Sequence, residues 1–80
     1  MREIHPNKTY KHFKGNVYKV LYIGYDAERE NKNGDAPKVV IYESSHDKKV
    51  WVRDYDNFAS KVDNKKYPNA SQEYRFEQVD

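Results

Sequence analysis

Trp51 and Arg53 stand two residues apart in Val50-Trp51-Val52-Arg53. In an extended strand that spacing sends the indole and the guanidinium to one side and the two valines to the other. With the valines toward a core, an outer face would carry a fork of N–H donors suited to carboxylate or phosphate beside an aromatic stacking surface. His12 and Lys14 are spaced in the same way around an inward-facing Phe13. If both converge on Glu28, the three could move a proton, since burial and neighbours tune each toward neutral pH. His12, Lys14, Glu28, Trp51 and Arg53 are therefore the candidate ligand-binding set. A structural role is the commoner one for such residues: Trp51 buried beneath a helix, Arg53 in a salt bridge with Glu28 or Asp56, Lys14 fixing a turn, and His12 half-buried on a backbone partner.

Other chemistry finds little support. Tyr10, Tyr18, Tyr42 and Tyr55 could line a groove for an extended peptide or for bases. A small barrel with few aliphatics needs tyrosines as core, however, and core filling is the better assignment for Tyr18 and Tyr42, with Tyr25 exposed. Ser44-Ser45-His46 sets a hydroxyl beside an imidazole, but neighbours in a turn point apart and no acid orients the base. His5, His12 and His46 show no metal-ligand spacing, and the three glycines build no phosphate loop, so neither a metal nor a cofactor is expected.

The elements that would position these residues are mostly strands. Residues 1–9 show no periodicity and are expected to form an irregular arm, with the domain over 10–80. Lys14-Gly15-Asn16 is a turn between a short extended piece, Tyr10 to Phe13, and a long strand, Val17 to Tyr25. Both sides of that strand are apolar, which predicts two covered faces or a bulge near Leu21. Asp26 to Pro37 is a polar loop with room for a helical turn over Ala27 to Asn31. Lys38 to Ser44 and Lys49 to Arg53 form a hairpin around Ser45-His46-Asp47-Lys48. Asp54 is a side-chain N-cap for a two-turn helix carrying Tyr55, Phe58 and Val62 on one face and stopping near Asp63-Asn64. Glu73 to Gln78 is the last strand. The order is β-β-β-β-α-β.

Eighty residues make one domain that buries only about 60–65% of its unfolded surface, so its stability margin is thin. Cysteine is absent, and eight tyrosines, three phenylalanines and one tryptophan must supply the core. Charged residues make up 35% of the chain with a net charge of only +2, below the basic excess of strong nucleic-acid binders. No apolar run reaches the roughly 18 residues of a membrane span, and the charged start Met1-Arg2-Glu3 lacks the hydrophobic region of a signal peptide, so no processing is expected. A cytoplasmic location is expected.

Tyr10-x-His12-Phe13-Lys14-Gly15-x-x-Tyr18-x-Val20-Leu21, Glu28, Val40-Ile41-Tyr42, Trp51-Val52-Arg53, Phe58, Val62 and Arg75-Phe76 together resemble a family of small bacterial and phage proteins, the domain of unknown function DUF1653. The resemblance covers residues 10 to 79. It implies a small mainly-β fold similar to an SH3-like barrel, and no established activity. Two departures stand out. After the second strand the family places a His-Ser/Thr-Glu-Thr segment, where this chain has Asp26-Ala27-Glu28-Arg29 and keeps only the glutamate. After the tryptophan strand the family has proline, where this chain has Asp54, another helix starter.

The expected molecule is thus a mainly-β, SH3-like, partly open barrel of about five strands with one short helix. Its expected role is noncatalytic binding of a small anionic ligand, a peptide or a nucleotide-like group. A single-stranded nucleic-acid binder would need Lys38, Lys48, Lys49, Lys65 and Lys66 on one face. A small hydrolase or transferase would need His12 and Glu28 together in a pocket. A monomer is the expected state, with self-association turning on whether strand edges lie open.

Overall fold

A computed structural model describes residues 2–80. The long β-forming run becomes β2, Val17–Tyr25, which pairs on one side with β1, Thr9–His12, and on the other with β3, Lys38–Ser44. Its two apolar faces are reconciled by a bulge. The register steps from Val20↔Tyr42 to Tyr22↔Ile41, leaving Leu21 unpaired, as the sequence predicted. β4, Val50–Asp54, continues from β3, and β5, Phe76–Gln78, returns to pair with β1. All pairings are antiparallel, in the order β4-β3-β2-β1-β5. The fold is mainly β, and the barrel stays open because β4 and β5 share no ladder.

The inner face of this curled sheet holds the core. Tyr10, Val20, Val40 and Tyr42 meet Phe76 and, from the short helix α1, Tyr55–Phe58, the rings of Tyr55 and Phe58. Phe58 and Phe76 stack at 4.0 Å, and Tyr42 and Tyr10 meet Phe58 edge-on at 5.2 and 5.5 Å. The open seam between β4 and β5 is therefore bridged by rings instead of backbone bonds. Tyr42 is buried and Tyr18 packs against the core, while Tyr25 is exposed, as expected.

Several local expectations are corrected. α1 has one turn, not two, because the backbone after it pairs with the approach to β5: the Val62 amide donates to Glu73 O and the Arg75 amide to Ser60 O, both at 2.9 Å. Val62 still reaches the interior, from an extended segment. β5 is shorter than predicted, since the Glu77 carboxylate takes the amides of Glu73 and Tyr74 and holds them in a turn. Asp54 sits at the N-cap without a side-chain cap bond; its carboxylate instead receives the Arg29 guanidinium. Arg29 also holds Asp26 and so ties a 3₁₀ turn at Ala27–Arg29 to the end of β4.

Residues 2–8 contain no strand or helix, yet they are fastened into the domain. Ile4 is buried, its amide donating to the Tyr55 hydroxyl at 2.7 Å. Arg2 donates to the carbonyls of Phe58, Ala59 and Phe76 and lies 4.2 Å over the Tyr74 ring. Its burial there holds the Arg2 pKa below the ordinary arginine value.

Candidate functional site

β4 has the alternation expected and the opposite facing. Trp51 pairs with Tyr42 and Arg53 with Val40, so both lie on the inner side, while Val50 and Val52 face solvent. Valine is the better core residue by type, but the register set by the β3–β4 turn decides the face. Arg53 consequently reaches across the open seam. Its Nε donates to the Tyr42 hydroxyl at 3.0 Å, one terminal nitrogen donates to Asn57 Oδ1 at 2.7 Å, and its Cζ stands 5.4 Å from the Phe76 ring. The predicted salt bridge to Glu28 or Asp56 does not form, and Trp51 is not buried beneath the helix but is 45% exposed.

His12 arrives at the same seam from the other side. As the last residue of β1 it pairs with Phe76, and its ring packs edge-on to Phe76 at 4.8 Å. The tight turn that follows depends on Gly15, whose φ of 111° is closed to side-chain-bearing residues. Within it the Lys14 amide donates to His12 Nδ1 at 3.1 Å, which leaves the proton of a neutral imidazole on Nε2. Burial first, then the charges of Arg53, Arg75 and Lys14, push the His12 pKa down to about 4. At neutral pH His12 is an uncharged donor among cations.

A pocket of about 330 Å³ occupies this seam, lined by His12, Phe13, Lys14, Asn16, Tyr18, Arg53, Tyr67, Arg75 and Phe76. No carboxylate lines it. Arg75 uses its Nε on Ser60 Oγ at 3.3 Å, and the ion pairs of the described residues leave Lys14, Arg53 and Arg75 without an acidic partner. The Lys14 ammonium lies 5.2 Å from the Tyr67 ring centroid, and its hydrogen bonding and charge pull the Tyr67 phenol below its usual pKa. A second recess, lined by Phe13, Lys66, Tyr67, Pro68, Asn69 and Ala70, shares the Phe13 and Tyr67 walls.

Three of the five predicted residues, His12, Lys14 and Arg53, thus come together. Trp51 flanks them two positions along β4, on the same face. Glu28 does not join them: it sits in the 3₁₀ turn beyond Tyr25, whereas His12 lies near Val17, at the other end of nine-residue β2. That separation is roughly 25 Å at a strand's rise per residue. Sequence reasoning passed over Arg75 and Tyr67. Arg75 alternates with the buried Phe76 and so reads as outward-facing, but β5 begins only at Phe76 and strand parity does not govern it. Tyr67 was an aromatic in a polar loop, a signal with no partner in sequence.

A family model described as a protein of unknown function (DUF1653) matches residues 8–78. The chain belongs to the DUF1653 family. Searches of curated proteins and of solved structures gave no match. In this DUF1653 chain no helix of the described residues is long and apolar enough to cross a membrane, and no group of His, Asp and Glu among them could hold a metal ion. The lysines required for a nucleic-acid face are dispersed. Lys38 lies over Tyr55 at one end of β3, Lys49 over Trp51 at the other, and Lys66 beside Tyr67.

Proposed function

We propose that this protein is a noncatalytic binding module whose ligand places a phosphate-like anion in the seam pocket and a planar or apolar group against Phe13 and Tyr67. The observation that carries this reading is the unbalanced lining: Lys14, Arg53 and Arg75 with the His12 Nε2–H, and no acid. An anion there relieves the mutual repulsion of three cations and gains charge-assisted hydrogen bonds, with the guanidinium groups suited to phosphate geometry. The adjoining recess favours a nucleotide-like ligand over a bare anion, because its walls offer ring faces and the Asn69 amide. A hydrolase or transferase built on His12 and Glu28 gains no support, as the acid is remote and His12 Nδ1 is engaged by the turn.

The test is amide chemical-shift mapping with inorganic phosphate, a nucleoside monophosphate, acetate, a short peptide and an oligonucleotide. Shifts confined to His12–Asn16, Arg53 and Tyr67–Phe76, stronger with the nucleotide than with phosphate, are expected. Arg75→Gln should weaken them tenfold or more, and Arg53→Ala should abolish them. Silence toward both phosphate and nucleotide would sink the proposal.

A further inference from the structure

β4 is an outermost strand with neither proline nor bulge along it. Edge strands are ordinarily blunted by proline, by outward lysine or by a bulge. Here Val50, Trp51 and Val52 stand in unbroken succession, 51%, 45% and 65% exposed. Hydrogen-bond parity tells which backbone groups are open. The Ser44 amide donates to Lys49 O at 2.9 Å and the Ser45 amide to Val17 O at 3.0 Å, so even-numbered residues of β3 turn their polar groups to β4 and odd-numbered ones to β2. Trp51 and Arg53, opposite Tyr42 and Val40, accordingly use theirs inside the sheet. Val50, Val52 and Asp54 point theirs outward.

We propose that β4 pairs antiparallel with β4 of a second copy of this chain, about a two-fold axis through Val52. Such an isologous contact matches the open groups of Val52 in kind and leaves only the Val50 amide to solvent. Val52 exchanges both backbone bonds with its counterpart, and the Asp54 amide donates to the Val50 carbonyl of the other copy, while the Asp54 carbonyl belongs to the first turn of α1. The side chains are self-complementary in the same register. Trp51 falls opposite the other copy's Arg53, a close cross-strand pair in which the indole meets the arginine stem, the guanidinium being held by Tyr42 and Asn57. Val52 meets Val52 on the outer face, and the basic end at Lys48-Lys49 lies over the end carrying Asp56, Asp54 being already held by Arg29. A one-register slip would set inward-facing groups against open ones and lose the ladder. This inference does not rest on what the pocket binds, although Arg53 belongs to both surfaces.

A single strand edge buries less than a standard interface, so association should fall in the micromolar to millimolar range. Sedimentation equilibrium across that range is expected to approach twice the monomer mass at the upper end, with exchange protection of the Val52 and Asp54 amides rising in step. Val52→Pro removes only an outward amide and Val52→Lys only places a charge on an exposed site; both should fold with unchanged circular dichroism and stay monomeric. A wild type that remains monomeric at millimolar concentration, or a dimer that persists in both variants, overturns the proposal.

Discussion

His12 is set apart by what surrounds it. Burial and three neighbouring cations favour its neutral form on folding, so its folded pKa, about 4, lies below that of the unfolded chain. Its contribution to stability is complete above the ordinary histidine value of roughly 6.5 and is lost as pH falls toward 4. Thermal midpoints should therefore fall across that window in the wild type and much less in His12→Gln. A second outcome follows from the list of neighbours: Arg53→Gln should raise the His12 pKa, read from its ring proton shifts, because one of the depressing charges is gone. Bound phosphate should raise it further. An unchanged titration in Arg53→Gln would mean that the two side chains do not meet across the seam in solution.

Among the elements, the turns decide more than the strands. Gly15 at φ 111° cannot accept a side chain without strain, whereas a Cβ on Gly24 meets Ile41 at 3.4 Å in ordinary contact. Gly15→Ala should cost about 1–2 kcal/mol. It should also displace Lys14 from the pocket, whereas Gly24→Ala should change the unfolding midpoint little. Denaturant unfolding of the two variants checks the contrast. The strands themselves were legible because their signals are local: the β2 and β3 runs, the bulge at Leu21 and the β3–β4 hairpin all came from alternation and turn residues. What sequence periodicity missed was set by distant partners. The facing of β4 followed from its register against β3, and the single turn of α1 from the pairing of residues 60–62 with 73–75. In the site, His12, Lys14 and Arg53 were readable from spacing, while Arg75 entered through an irregular approach to β5 and Glu28 was sent to the far end by the length of β2.

Taken whole, the molecule has a core that draws on nearly every segment, including the irregular first residues. Ile4 is buried against the same cluster as Tyr55 and Phe58, so Ile4→Ala should cost about 2–5 kcal/mol despite lying outside every strand. Against a total of about 4–12 kcal/mol for eighty residues, that is a large share. Unfolding measured by tyrosine fluorescence should shift by that amount, and a result within experimental error of wild type would show that the arm does not hold its place. The attachment of Arg2 to the carbonyl of Phe76, and of β1 to β5, carries a further consequence for a chain emerging from a ribosome. Within this domain the earlier segment finds its lasting partners in the later one. Until positions 76–78 are free to fold back, the early hairpins lack their final strand, so the domain is expected to remain sensitive to protease through most of its synthesis and to become resistant in a single late step.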